Sequence, residues 1–150
     1  MIKKILKKVL IGLAVLVVVI QFFRIDKTNP VTAIEIDFIE VNHPPVEIAA
    51  LLKTSCYDCH SNQVSYPWYT NIAPVSWFIK DHINEGREEL NFSEWGDYSL
   101  KRKDHKLEEC AEEVEEGEMP LDSYFIMHSE AELTHEQRET LEGYFTGLRK

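Results

Sequence analysis

Past its first two dozen residues the chain is poor in positive charge. Of 16 Lys and Arg, 5 lie at or before Arg24, leaving 11 against 25 Asp and Glu from Lys27 onward, a net −14. Such a surface repels phosphate and excludes nucleic acid as a partner. It favours a basic protein, drawn in by electrostatic steering. Internal repeats and low-complexity tracts are absent as well, which leaves one domain with a modest core in 150 residues. A small-residue A-x-A site is missing after the N-terminal apolar run, where Gln21, Phe22, Phe23 and Arg24 stand instead. No cysteine follows where a lipoprotein would need one. An uncleaved anchor is therefore expected, with a cleaved signal as the alternative.

The N-terminus itself carries Lys3, Lys4, Lys7 and Lys8, then an apolar run from Val9 to Phe23. As a helix that run is about 22 Å long, short of a roughly 30 Å hydrocarbon core. Ile5, Leu6 and the methylene stems of Lys7 and Lys8 extend it, because lysine reaches the headgroups while its stem stays in lipid. The lysines stay on the cytoplasmic side and the rest of the chain is exported. Residues 1–25 are thus expected to form a single transmembrane helix in a bacterial inner membrane, and 26–45 a tether. Within that tether Ile34–Phe38 alternates apolar with acidic and reads as a short strand or an extended segment lying on the domain. Fully extended, the tether would reach up to about 65 Å.

Residues 46–150 read as helices, and the fold class is all-α. Pro44-Pro45 opens one that leads into Cys56. Pro74 opens a second, with Val75, Phe78, Ile79, Ile83 and Leu90 at helical spacing. A third runs from about Ser99 to Glu116, with Leu100, Lys103, Leu107, Cys110 and Val114 as its inner stripe and Gly117 as its stop. The last begins at Thr134, which Gln137 completes as a capping box.

Cysteine is the remaining scarcity: there are three, and two of them stand in Cys56-Tyr57-Asp58-Cys59-His60. At this composition C-x-x-C-H arises by chance with a probability of about 0.002, and it is the motif of c-type haem attachment. Two thiols one helical turn apart add across the two vinyl groups of haem and leave thioethers, and the adjacent histidine offers its ring to the iron. Two other readings stand beside it. A thioredoxin-like dithiol belongs to a βαβ pattern that this sequence lacks. A zinc site would recruit Cys56, Cys59, His105 and Cys110, although the apolar stripe around Cys110 suits a buried thiol.

For the sixth position on iron the chain offers Met119 foremost, in a Gly-Glu-Met-Pro loop where proline braces the backbone behind a soft thioether. His82, on the inner side of the second helix, is the alternative; Met127, His128 or an open site are further ones. Tyr66, Trp68, Tyr69 and Trp77 are candidate walls of the haem pocket. Arg87, Asn62 and Trp95 are candidates for its propionates.

The succession of QFFRIDKTNP, CYDCHSNQ, YPWYTNIAPVSWFIKDHINEGREELNFSEW and EEGEMPL resembles the bacterial haem-binding domain family of cytochrome c-like proteins, over nearly the whole chain. The resemblance implies one covalent haem c, a helical cytochrome c-like fold and export. By match of motif it implies Cys56 and Cys59 as the thioether residues, His60 as proximal and Met119 as distal ligand. The function expected is that of a membrane-anchored periplasmic single-haem c-type cytochrome. It would pass electrons between redox proteins, with a basic docking face on the partner, and would not itself be an enzyme. The alternative is a haem-based sensor or a peroxidase-like enzyme with an open or displaceable sixth ligand.

Overall fold

The computed structural model describes residues 2–149. Met1 and Lys150, the outer limits of the expected anchor and domain, lie outside the described residues. Every regular element among those described is helical. The α-helices are α1 (Ile2–Ile20), α2 (Phe38–Asn42), α3 (Val46–Ser55), α4 (Tyr57–His60), α5 (Val75–Glu89), α6 (Leu100–Glu116), α7 (Asp122–Phe125) and α8 (His135–Leu148). Short 3-10 turns occupy Ile34–Ile36, Trp68–Asn71, Phe92–Asp97 and Ser129–Ala131. The all-α expectation holds.

Local chemistry sets the helix limits. Ser99 Oγ accepts the Arg102 N–H and starts α6. At its end Gly117 takes φ +81°, a left-handed conformation that costs glycine no Cβ clash. Thr134 and Gln137 form the expected capping box on α8. The helices then bury their apolar stripes. Leu107, Ala111 and Val114 of α6 face Leu141 and Phe145 of α8 in one core, and α3 adds Ile48 and Leu52. Arg138 of α8 fastens the end of α6, donating to the Val114 carbonyl at 3.2 Å.

Residues 34–42 form helical turns in place of a strand, and they lie on the domain. Asp37 caps α2 by accepting the Ile39 N–H, and Phe38, wholly buried, plugs the core. Its ring meets Phe92 and Trp95 edge-on, with centroids 5.0 and 4.9 Å away. Asp37 also accepts from the Tyr57 hydroxyl at 2.7 Å and from Gln63 Nε2 at 2.9 Å. This segment is part of the domain. Alternation of apolar and acidic residues gave it a strand-like pattern, but burying Phe38 among distant aromatics decides its course.

The expected transmembrane helix finds no support in the lengths of the helices. Among the described residues no helix is long and apolar enough to cross a membrane. α1 has 19 residues, but its first two turns hold four lysines, and only Val9–Ile20 is free of charge. That is about 18 Å of helix against a roughly 30 Å hydrocarbon core. α1 contributes no buried residue to the domain.

Candidate haem site

α3 ends at Cys56, whose N–H bonds the Leu52 carbonyl, and the chain turns at once into the single turn α4. That turn closes through the His60 N–H on the Cys56 carbonyl at 2.9 Å, so both thiols and the histidine come from one compact bend. Tyr57, between them, faces the other way: it stacks on Phe92 at 5.3 Å and anchors the turn to the core.

His60 is the most constrained member. Its Nδ1 lies 2.9 Å from the Gly86 carbonyl and 3.2 Å from the Leu90 carbonyl. Two acceptors require Nδ1 to carry the proton, which leaves the Nε2 lone pair free for a metal. Burial holds the ring pKa below its ordinary value, against the opposing pull of those carbonyls, and so keeps it neutral. α5 and its C-cap Leu90 supply the two carbonyls, and the helix must run close to α4 to do so. A Cβ on Gly86 would stand 3.0 Å from the Cys59 carbonyl oxygen, which leaves glycine as the residue that fits.

The thiols are of an unreactive kind. Burial pushes Cys56 up to about 12, with Cys59 adding to it. Cys59 is pushed up to about 11, chiefly by burial and then by Asp58. Cys110 is raised too, by burial first and by Cys56 next, so it lies within electrostatic reach of the motif. A redox dithiol needs thiolate, which these surroundings disfavour. The zinc alternative fails on geometry. His105 is exposed and pairs with Glu108 and Glu109, and among the described residues no group of three or more His, Cys, Asp or Glu is placed to hold a metal.

Beside α4 opens a cleft of about 510 Å³. Cys59 lines it, together with Phe78, Ile79, His82 and Ile83 of α5, Trp68 and Tyr69, and the segment from Leu121 to His128. Its far wall is tied down by polar contacts. Tyr124 donates to Asp58 Oδ2 at 2.8 Å and stacks on the His128 ring at 4.2 Å, while the Tyr69 hydroxyl bonds His128 Nε2. Asp58, between the two cysteines, also accepts the Ser65 N–H at 2.9 Å.

The sequence-derived candidates divide. Cys56, Cys59 and His60 come together in one bend, and of the three only Cys59 lines the cleft. Met119 stands outside the lining of the cleft, half-buried in a pinned loop. Its N–H bonds the Glu113 carbonyl at 3.1 Å, and its own carbonyl accepts from Arg138 at 2.8 Å. His82, Met127 and His128 do line the cleft. The propionate candidates are engaged elsewhere. Arg87 donates to Ser61 O and Asn29 Oδ1, Asn62 is buried against Asn91 and Ser93, and Trp95 is core. Trp68 and Tyr69 are cleft walls as expected, whereas Tyr66 and Trp77 lie outside the lining. Tyr124 and Asp58 escaped the sequence reading; the offset between them carries no local signal.

A haem fits the residues present: an apolar cleft, a neutral imidazole with its outer nitrogen free, and two protonated thiols one turn apart. Comparison with curated proteins and with solved structures gave no match. The family model of the haem-binding domain matches residues 15–147. With nearly the whole sequence covered, and the cysteine–histidine turn within the match, the chain belongs to the haem-binding domain family and binds haem.

Proposed function

We propose that this is an exported, membrane-anchored c-type cytochrome that relays single electrons between redox proteins. The observation that carries the reading is the doubly bonded Nδ1 of His60, which presents Nε2 from the same turn as two neutral thiols. Haem, when bound, supplies an iron centre that accepts and releases one electron. Cys56 and Cys59 would hold it through thioethers, and His60 would offer Nε2 to its iron. Met119 is the proposed distal ligand, with the Glu113 carbonyl and Arg138 clamping its loop. Phe78, Ile79 and Ile83 exclude water from the site. The lysine stems at the start of α1 lengthen its apolar stretch toward the thickness of the lipid, so α1 is the proposed anchor, with the haem domain on the periplasmic side. No catalytic residue is assigned.

A second reading rests on the cleft lining. His82 stands on the wall that Met119 does not reach, and its ligation would give a bis-histidine haem of lower potential. Protein matured in cells that attach haem c separates these readings. Haem colour should stay with the chain on a denaturing gel and survive acid-acetone extraction; colour lost on extraction overturns covalent attachment. Cys56→Ser weakens attachment and Cys110→Ser leaves it intact. Met119→Ala should lower the reduction potential and admit carbon monoxide to the ferrous iron. A wild-type spectrum in Met119→Ala with a high-spin His82→Ala would assign the sixth position to His82. A high-spin wild type that binds carbon monoxide would instead support a sensor or peroxidase.

A further inference from the structure

The end of α1 is fastened to the domain. The Gln21 side chain donates to the Ala73 carbonyl at 3.0 Å and accepts the Ala73 N–H at 2.9 Å, so both ends of its amide are satisfied by one residue. Trp77 Nε1 donates to the Phe23 carbonyl at 2.8 Å, and Lys27 reaches Asn71 at 2.6 Å. The first polar residue after the apolar helix is therefore spent on holding the segment from Asn71 to Trp77 against the helix end.

That segment lies in a stretch unlike the rest of the chain. Charged residues make up 28% of the sequence, yet Ser61–Ile79 contains no Asp, Glu, Lys or Arg. Its exposed side chains are large and apolar: Trp68 is 69% exposed, Phe78 54%, Val75 46%, Ile72 43% and Trp77 39%. A contiguous apolar surface of this kind marks an interaction site. A basic redox protein would be steered to acidic side chains, and the stretch Ser61–Ile79 supplies none. Tryptophan suits the boundary of lipid and water, with an apolar ring and a polar N–H to place. Continuity with α1, whose apolar residues are exposed from Val9 to Val19, points to the same solvent.

We propose that the surface formed by Trp68, Ile72, Val75, Trp77 and Phe78 rests on the lipid–water interface, holding the haem domain against the bilayer at the end of α1. Trp68, Ile72, Val75 and Phe78 also line the haem cleft, so the rim of the cleft faces the lipid. The inference rests on the anchoring role proposed for α1. The Gln21–Ala73 pair is the latch that prevents the domain from swinging away.

The test uses the full chain with haem attached, reconstituted into phosphatidylcholine vesicles that carry a photoactivatable group near the glycerol backbone. Adducts are mapped by mass spectrometry. Peptides covering residues 66–79 should be labelled along with α1, and peptides from the solvent face of α6 should not. Trp77→Lys, exposed and outside the cleft lining, should lose the label on 66–79, keep it on α1 and leave the haem spectrum unchanged. Gln21→Ala should reduce labelling of 66–79 with α1 again unaffected. Labelling confined to α1 in the wild type overturns this inference and leaves the anchor standing. Absence of label from α1 and from 66–79 overturns both.

Discussion

His60 and the two motif thiols are each held in their uncharged forms by burial, and this sets a pH signature for the chain before haem is attached. The folded histidine resists protonation, whereas the unfolded one takes up a proton near 6.5. The unfolded state then binds more protons, so stability falls as the pH drops below that value. Cys56 and Cys59 resist deprotonation, at about 12 and about 11 in the fold against an ordinary 9.0. The unfolded chain releases those protons first, so stability also falls as the pH rises above 9.0. Thioethers do not ionise. Urea midpoints measured across pH should therefore show a steep alkaline loss for the haem-free chain and a shallower one for the haem-bearing chain, due to Cys110 and to Tyr57 and Tyr124, which burial also raises. Equal alkaline slopes would mean that the two thiols remain free.

At the scale of elements, two short pieces matter more than their length suggests. α4 is one turn, yet it carries the motif, and α5 is shaped to meet it: Gly86 removes the side chain that would separate them. α2 is barely longer, and its Phe38 fills the space enclosed by Phe92, Trp95 and Phe145. Phe38→Ala should cost about 3–5 kcal/mol, the usual range for removing a buried phenylalanine, read as a lower urea midpoint. A free tether would show no change. Helix limits were legible in the sequence wherever side chain and backbone meet within one turn, as at Ser99, Gly117, Thr134 and Gln137. The course of residues 26–45 was not. Phe38 is surrounded by residues more than fifty positions away, and nothing in its neighbours announces them.

For the whole molecule, charge and apolar surface are separated. From Lys27 onward the chain carries a net −14, but the Ser61–Ile79 stretch carries none of it. The proposed roles follow that separation, with lipid on the uncharged face and a basic redox partner on the acidic remainder. Electron exchange with a cytochrome of net positive charge should accordingly slow as salt is raised, since screening shortens the reach of the field. Exchange with an acidic cytochrome should quicken. A rate indifferent to salt for both would remove electrostatic steering from the account.

The sequence by itself determined the helical class, the helix caps and the cysteine–histidine turn, because each depends on residues within a few positions of one another. C-x-x-C-H is legible for that reason: the chemistry needs two thiols and an imidazole on one bend. Tertiary structure decided the rest. It chose which nitrogen of His60 is left free, through carbonyls of Gly86 and Leu90 that only the packing of α5 brings near. It placed Tyr124 and His128 across the cleft from Cys59, and set Met119 outside the cleft lining. It also turned an expected tether into core and latched the end of α1 to Ala73. Each of these is a contact between distant parts of the chain, fixed by what must be buried together and not by local spacing.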